Sequence, residues 1–378
     1  MAKAFIAPAR KRKNLTVYKF AHASRVLFQK NSNRAVGVEF VRHGVTHEAF
    51  ATKEVILSAG SLKSPQILML SGVGPRDQLE KFEIPVRVNL PGVGKNLQDH
   101  YGSFITPVLL DPPQAIKELT QLGNFLDYMG NNSGPLSSSG LEANMLLASS
   151  HARTARGQPT WPDLQMFLTG VMGTFVDSGL PQLYNLKEDI VEEYFGRHEG
   201  QPRLGLFNIL NRPYSRGSVT LQSADPEEPL LFDPNYLADD RDMEILVDGA
   251  KRILQVVEES DAFRKMDARL ANHSFPGCEA HAFRSDDYWH CFHRQITFTL
   301  WHYSGTCAMG PKSNPDAVVD SQLRVYGTER LRVVDASVMP MITAGNTNAP
   351  VIMIGEMAAD FIKEAWKGKP CMTCAWTQ

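Results

Sequence analysis

A histidine interrupts an apolar stretch near the end of the chain, in LWHYSGTCAMG at residues 300–310. The run that ends at Trp301 reads as a strand, and Ser304 and Gly305 then favour a turn. At such a boundary an imidazole can cap a backbone carbonyl, bind a metal or move a proton near neutral pH. The spacing alone favours a hydrogen-bonded structural role for His302, and the other two roles stay open.

A second polar cluster, TAGNTN at residues 343–348, precedes an apolar helical pattern. We expect Pro350 to open a helix that runs to about Trp366, because apolar residues recur there at a spacing suited to packing on a sheet. The loop presents polar side chains and free backbone N–H groups at the helix start. This arrangement suits a negatively charged or electron-rich ligand.

Two short apolar runs predict the strands that position these loops. Val55–Leu57 is a continuous apolar run, which is typical of a strand buried on both faces of a parallel sheet, and Leu331–Val334 is predicted to be another strand of this buried type. The second run ends on Asp335 and Ala336. Ligands of such sheets bind beyond the carboxyl ends of the strands.

A helix is predicted directly after the first of these strands. Ser64 suits the N-cap position, Pro65 the first helical position and Gly72 the position that ends a helix. The strand, the turn at Gly60 and this helix form one βα unit. On this stretch alone, a unit without any ligand is an equal alternative.

The remaining patterns indicate a mixed α/β fold. Residues 15–20, 24–29, 35–41 and 46–52 predict an antiparallel meander of four strands. Residues 104–296 predict a separate lobe of strands backed by helices, with a helix at about 115–130 and an amphipathic helix within 239–260. The expected fold is thus part of a parallel-sheet domain plus a lobe of antiparallel sheet with helices.

Composition limits the classes of partner. Hydrophobic residues make up 43%, charged residues 21%, and the net charge is −2. This balance argues against a nucleic-acid partner held by a basic face. No run approaches the roughly 18 apolar residues that span a membrane. The first residues contain no apolar signal core, which leaves the compartment undecided, with a secreted parent protein as one alternative.

The five cysteines allow two pairings to be considered. Cys278 and Cys291 flank a short loop and helix and can form a disulfide, whereas Cys371 and Cys374 make a CxxC close to the end of the chain. His290, Cys291 and His293 are poor metal ligands, because near-adjacent side chains on one turn diverge and no fourth partner follows at a usual spacing. We therefore expect no metal site.

Several long segments carry a family resemblance. GSLKSPQILMLSGVGP, LPGVGKNLQDH, WHYSGTCAMGP and AGNTNAPVIMIGEMAADFIKE resemble the glucose–methanol–choline (GMC) oxidoreductases, FAD-dependent enzymes that oxidise alcohols. These segments follow one another in the family's order across nearly the whole chain. Their sequences are most similar to the insect glucose-dehydrogenase-like branch. The resemblance implies an FAD-binding domain in 1–103, a substrate-binding lobe in 104–296 and a return segment with catalytic loops in 297–378.

Two residues fall at catalytic positions of the family. His302 matches the histidine expected beside the reactive N5 of the flavin, and Asn346 matches a position held by histidine or asparagine. Alcohol oxidation removes a proton from oxygen and a hydride from carbon. A neutral imidazole can take the proton and the flavin the hydride, while Asn346 can donate a hydrogen bond to the developing alkoxide. His100 is expected to help hold the junction between the lobes.

The resemblance also implies cofactor contacts. Asp335 and Ala336 match a strand end whose backbone approaches the FAD, and Thr347 and Asn348 fall in the loop that covers the isoalloxazine ring. Ala23 occupies a place where relatives often carry valine against the adenine half. The expected cofactor is FAD.

The chain departs from the family at its beginning. It contains no GxGxxG motif, and its first residues align well inside the family's sequence, which predicts an amino-terminally truncated chain with an incomplete FAD-binding domain. One hypothesis is glucose-dehydrogenase-like oxidation of an alcohol or sugar, with oxygen or a quinone-type acceptor reoxidising the flavin. The alternative is a catalytically inactive remnant that acts as a binding or scaffold protein.

Overall fold

A computed structural model describes residues 2–111, 122–138, 140–154, 157, 160–169, 182, 184–198, 201 and 203–367. The CxxC at Cys371 and Cys374 and the first part of the helix expected at 115–130 lie outside these residues. The rest of that helix is present as Leu122–Asn131.

The elements are numbered in chain order. The strands are β1 Ala21–Phe28, β2 Ala35–Arg42, β3 Val45–Phe50, β4 Val55–Leu57, β5 Val73–Gly74, β6 Val88–Asn89, β7 Tyr101–Leu109, β8 Ala143–Leu147, β9 Leu164–Thr169, β10 Arg203–Leu210, β11 Ser218–Thr220, β12 Leu231–Asp233, β13 Arg269–Leu270, β14 Phe298–Thr299 and β15 Leu331–Val333. The α-helices are α1 Ala7–Ala9, α2 Gly60–Leu70, α3 Arg76–Lys81, α4 Leu122–Asn131, α5 Ser150–Thr154, α6 Glu188–Ile190, α7 Asp240–Glu259, α8 Asp261–Arg264, α9 Asp286–Ile296 and α10 Asn348–Trp366. Short 3₁₀ and π segments lie at Ala2–Ile6, Pro135–Ser137, Val191–Phe195, Gly196–His198 and Ala336–Val338.

The first part of the chain forms an antiparallel sheet of β1, β2 and β3. The strand expected at 15–20 is wrong, since this stretch has no regular structure. Its apolar side chains, Tyr18 and Phe20 among them, are exposed, and Phe20 has a left-handed φ of 56° that interrupts an extended chain. Apolar residues favour a strand here, but within the described part of the chain no strand pairs with this segment.

The two buried-type strands pair as expected. β4 and β15 are parallel, with Leu331 opposite Val55 and Val333 opposite Leu57. Both strands end beside the first turn of α2, because the amide of Gly60 and the hydroxyl of Ser64 bond the carboxylate of Asp335. The mixed α/β class is therefore correct, with a parallel pair alongside antiparallel sheets.

Helix α2 begins at Gly60, four residues before the expected N-cap at Ser64. Pro65 consequently lies inside the helix, where it cannot donate to the carbonyl of Ser61. That carbonyl instead accepts a 2.6 Å hydrogen bond from the hydroxyl of Thr306. The helix end is as expected, since Gly72 follows it with φ of 79°.

The middle of the chain builds a larger antiparallel sheet in the order β13-β7-β10-β9-β8, with β14 also paired to β7. Helix α7 packs against it through an apolar face, as the sequence pattern predicts. Cys278 and Cys291 form a disulfide beside this sheet, so the Cys291 sulfur is not available as a metal ligand. Within the described ranges, no helix is long and apolar enough to cross a bilayer.

Two hydrophobic cores result. One lies between the large sheet and helices α7 and α9, with Phe104, Ile209 and Trp289 fully buried. The other surrounds β4, β15 and α2, and includes Leu68 and Val333. The chain crosses between the two cores at 96–100 and again at 300–307, and these crossings carry the site described next.

Candidate active site

The segment Asn96–His100, which is extended from Leu97 onward, supports the site through its side chains. Asn96, Gln98 and His100 all contact the loop at 340–343, while Asp99 faces the opposite way, toward β14 and Tyr236. The backbone of Gln98 bridges Ser304 in an antiparallel pair. The two-residue period of an extended chain thus directs successive side chains to two different neighbours.

The turn that carries His302 begins at Trp301, whose φ of 56° is left-handed. The amide of Trp301 donates to the Thr299 hydroxyl at 2.7 Å, and the amide of His302 donates to Asp99 Oδ1 at 2.8 Å. The Ser304 hydroxyl then bonds the carbonyl of His302 at 2.9 Å. These bonds explain why the apolar run ends at Trp301. They turn the chain and fix the backbone on both sides of the imidazole.

The imidazoles of His100 and His302 are in direct contact. Their Nδ1 atoms lie 2.9 Å apart, and the rings meet edge to face with centroids separated by 5.1 Å. The Nε2 atom of His100 lies 3.0 Å from the carbonyl oxygen of Thr343. A chain of contacts therefore runs from the 343 loop through His100 to His302, which is in keeping with the linking role expected for His100.

Burial governs the charges of this cluster. Desolvation lowers the pKa of His100 to about 3, with a further contribution from the neighbouring His302. Desolvation also lowers the pKa of the half-buried His302. For Asp99 it raises the pKa to about 6, against the hydrogen bonds from Thr299 and Tyr236 that lower it. The two imidazoles are consequently neutral near pH 7.

Amide side chains fix the loop at 340–347 through hydrogen bonds. The carbonyl of Pro340 accepts from Asn96 and Gln98, each at 3.2 Å, and the amide of Ile342 donates to Gln98 Oε1 at 3.1 Å. Further along the loop, Oδ1 of the exposed Asn346 accepts a 2.8 Å hydrogen bond from Nε2 of the buried Gln165. Because its oxygen is already bonded, Asn346 offers its two N–H donors to the exterior.

Asp335 and Ala336 join the other side of the His302 turn. The Ala336 carbonyl accepts from the amide of Gly305 at 3.1 Å, and the Asp335 carboxylate bonds the hydroxyl of Ser64 at 2.6 Å. The Ser61 hydroxyl donates to the carbonyl of Tyr303 at 2.7 Å. The structure therefore brings His302, Asp335 and Ala336 together on adjoining segments.

The remaining predicted residues are Thr347 and Asn348, at the start of α10, and Ala23, in β1. Thr347 is buried at the N-cap of α10, and Asn348 is the exposed first residue of that helix, both directly after Asn346. Ala23 lies in β1, whose residue Val26 bonds Ser71 at the end of α2, whereas Asp335 bonds its beginning. No hydrogen bond among the described residues joins Ala23 to the loop of Asn346.

A cavity of about 250 Å³ lies beside the loop that carries Asn346. Met341 and Ile342 line it on the loop side, and Arg212, Arg216 and the ring of Trp161 line it elsewhere. The Arg212 guanidinium stacks over Trp161 at 3.9 Å from the ring centroid. This opening next to the loop has a mainly apolar lining that carries two guanidinium groups.

The sequence patterns did not identify three residues that support the site. Asp99, Gln98 and Gln165 are buried polar side chains within otherwise strand-like stretches. A buried carboxylate or amide needs hydrogen-bond partners, so polar residues within such a run are the available signal. That signal does not name the partners, which lie more than 180 residues away in the chain.

Comparisons with known proteins agree on one family. Two family models, both described as GMC oxidoreductase, match residues 1–102 and 213–355. The chain is 37% identical over 378 residues to glucose dehydrogenase [FAD, quinone] of Drosophila pseudoobscura pseudoobscura, covering all of this chain and 57% of that protein. It is 38% identical to the mitochondrial choline dehydrogenase of Homo sapiens, covering 98% of this chain and 56% of the relative.

Solved structures show the same likeness. Formate oxidase has a TM-score of 0.79 at 27% identity, over 95% of this chain and 62% of that one. Pyridoxine 4-oxidase from Mesorbium loti has a TM-score of 0.71 at 26% identity, over 95% of this chain and 60% of that one. The chain thus spans 57% of the length of the insect glucose dehydrogenase it matches.

Proposed function

Because this chain belongs to the GMC oxidoreductase family, whose two models together match more than half of it, we propose that it serves the FAD-dependent oxidation of an alcohol CH–OH group. The contact network around His302 carries this proposal. It links the half-buried imidazole to the loop of Asn346 through His100 and the carbonyl of Thr343, and links the His302 turn to the strand end through the bond from Gly305 to Ala336.

The described residues fit the ring-bearing end of a flavin. Gly60 and Gly345 both face open space, since a Cβ added to either would meet no atom within 4 Å. Thr347 caps α10 without a side-chain hydrogen bond, so the N–H groups at the helix start remain available as donors to an electron-rich ring edge. Gly60, Ala336, Gly345, Thr347 and Asn348 would line that end. The flavin, when bound, supplies the hydride acceptor.

His302 acts as the proton acceptor. Its pKa is lowered by burial, so the imidazole is neutral and basic at physiological pH. The hydrogen bonds at its amide and its carbonyl fix the backbone, which limits the positions that the ring can reach. The imidazole would take the hydroxyl proton of the alcohol, and a bound flavin would take the hydride of its C–H bond.

Asn346 stabilises the oxygen of the reacting alcohol. The hydrogen bond from Gln165 occupies its amide oxygen and leaves its N–H groups to donate. A neutral donor favours the developing alkoxide without titrating itself. A base and a donor on one oxygen suffice for the proton part of the reaction.

The cavity favours a neutral hydroxylated substrate. The positive charges of Arg212 and Arg216 in its lining repel a quaternary ammonium, whereas a neutral hydroxylated molecule meets no such repulsion. We therefore propose a sugar or another neutral alcohol as substrate, rather than choline. The insect relative is a glucose dehydrogenase named for FAD and quinone, and we therefore propose a quinone-type acceptor for reoxidation of the flavin.

We further propose that residues 1–103 and 297–378 form one FAD-binding unit and that 104–296 form the substrate lobe. The two hydrophobic cores support this division, because the one around β4 and β15 draws mainly on both ends of the chain. Leu221 is an exception, since it packs with that core from within the middle segment.

The test uses the full chain supplied with FAD. After gel filtration, the visible flavin band is followed anaerobically on addition of glucose, other neutral alcohols or choline. We expect neutral alcohols to bleach the wild-type band and the His302→Gln variant to bind flavin but bleach at least about 100-fold more slowly. His281→Gln, which changes an exposed histidine, is the matched control. Wild-type bleaching rates in His302→Gln, or no retained flavin in the wild type, would overturn the proposal.

A further inference from the structure

We propose that His100 is a positioning residue that holds His302 in the tautomer whose bare nitrogen is Nε2. The tautomer does not depend on the proposed function. Only the role of Nε2 as the acceptor of the alcohol's proton rests on that proposed function. The tautomer itself follows from three atoms, which are the carbonyl oxygen of Thr343 and the facing Nδ1 atoms of the two histidines.

The direction of the first hydrogen bond is set by Thr343. Its carbonyl oxygen can only accept, so the proton in the 3.0 Å contact belongs to Nε2 of His100. A neutral imidazole carries one N–H proton. Nδ1 of His100 is therefore bare and presents a lone pair toward His302.

The contact between the two Nδ1 atoms then determines the tautomer of His302. The two Nδ1 atoms are 2.9 Å apart, which is a hydrogen-bond distance only if a proton lies between them. His100 has already placed its proton on Nε2, so the shared proton is that of His302 Nδ1. Nε2 of His302 is then bare and can receive the proton of an alcohol, while Nδ1–H continues to donate to His100 after the ring becomes charged.

The assignment requires that His100 stays neutral. Its side chain is fully buried, and desolvation holds its pKa at about 3. An imidazolium at this position would present an N–H instead of a lone pair to His302. Burial therefore keeps the acceptor of His100 available well below neutral pH.

Asp99 is the obvious alternative for this task, because carboxylates orient many catalytic histidines. Its oxygens are already bonded, Oδ1 to the amide of His302 and Oδ2 to the hydroxyls of Thr299 and Tyr236. Asp99 thus fixes the backbone of His302, and His100 orients its ring. A neutral orienting group does not raise the pKa of His302 as a carboxylate in contact with Nδ1 would.

The tautomer is read directly by ¹⁵N NMR of histidine-labelled protein, with the signals of His302 and His100 assigned from the His302→Gln and His100→Asn spectra. We expect unprotonated Nε2 on His302 and protonated Nε2 on His100. An Nε2–H tautomer on His302, or Nδ1–H on His100, would overturn the inference. This measurement needs no turnover, so its failure is distinct from a failure of the proposed oxidation.

Paired substitutions separate positioning from packing. His100→Asn keeps an acceptor near the Nδ1 site, whereas His100→Gln keeps a donor toward Thr343 but loses that acceptor. We expect the rate of flavin bleaching to fall by less than about 10-fold in His100→Asn and by about 100-fold in His100→Gln, with flavin still bound in both. Equal losses in the two variants, or no loss in either, would show that His100 serves the fold alone.

Discussion

The side-chain amide of Gln165 donates a 2.8 Å hydrogen bond to Oδ1 of Asn346, 181 residues further along the chain. Gln165 is buried on β9 of the large sheet, while Asn346 is exposed in the loop before α10. Nε2 of Gln165 also lies 3.2 Å from Oδ1 of Asn144 on the neighbouring strand. The large sheet therefore fixes which end of the Asn346 amide faces outward.

Replacing Gln165 by glutamate tests this orientation. A carboxylate cannot donate to Oδ1, so the Asn346 amide should rotate and present its oxygen toward the substrate. We expect the rate of flavin reduction by alcohol to fall about 10- to 100-fold with flavin binding retained, somewhat less than the loss of an entire oxyanion donor. The exposed substitution Gln29→Glu adds the same charge elsewhere and should leave the rate unchanged. An unaltered rate in Gln165→Glu would show that the amide orientation is irrelevant to the reaction.

A buried ion pair offers a test of the parallel-sheet region. Arg332 on β15 bonds Glu54 at 2.8 Å, and both side chains are almost fully buried at 4% and 6% exposure. Arg332→Leu should lower the free energy of unfolding by about 3–5 kcal/mol, because it leaves the carboxylate buried without its partner. The double substitution Arg332→Leu with Glu54→Leu should recover much of that loss, as urea titration will measure. A double variant as unstable as the single one would contradict this account.

The disulfide joins Cys278 to Cys291, which lies within α9 at a sequence separation of 13, so the closed loop includes the first half of that helix. Changing both cysteines to serine should cost about 3 kcal/mol of unfolding free energy, mainly by freeing the unfolded chain. A reducing agent should lower the stability of the wild type toward that of the variant and leave the variant unaffected. Equal stability of the oxidised wild type and the variant would mean that the bond contributes nothing.

Stability should increase as the pH rises from about 4 to 6. The folded-state pKa values of His100 and His293 are lowered to about 3, so between that pH and their ordinary values the unfolded chain binds more protons than the folded one. Each such group adds about 1.4 kcal/mol per pH unit across this window. The pKa of Asp99 is raised to about 6, so in this window the folded state binds its proton more tightly than the unfolded chain does. Asp99 therefore cancels the increase in stability with pH that one of the two histidines contributes.

The variant His293→Asn isolates one of these contributions. His293 is fully buried and its Nδ1 lies 2.8 Å from the hydroxyl of Ser103, a contact that asparagine can retain. Urea unfolding at several pH values should show a slope reduced by about 1.4 kcal/mol per unit relative to the wild type. The exposed substitution His281→Asn is the control and should preserve the slope. A slope that His293→Asn leaves intact would exclude a neutral buried imidazole at this position.

Local sequence patterns determined much of the element content. The apolar run Val55–Leu57, the segment Leu331–Val333, which is apolar apart from Arg332, and the helical period of α7 each encode a structure through neighbouring residues alone. Sequence motifs also singled out His302 and Asn346. Where such patterns failed, as at residues 15–20 and at the start of α2, the outcome depended on a distant partner. The first segment lacks a neighbouring strand, and α2 starts early because Asp335 and Thr306 bond its first turn.

The tertiary structure alone decided what each candidate side chain contacts. His100 reaches His302 across 202 residues, and Gln165 reaches Asn346 across 181. No periodicity in the sequence encodes these contacts, because they arise where the crossings between two cores bring separate strands and loops together. In our proposal, the residue types supply the groups for proton transfer, and the proximity of a buried, neutral His100 selects the nitrogen of His302 that accepts the proton.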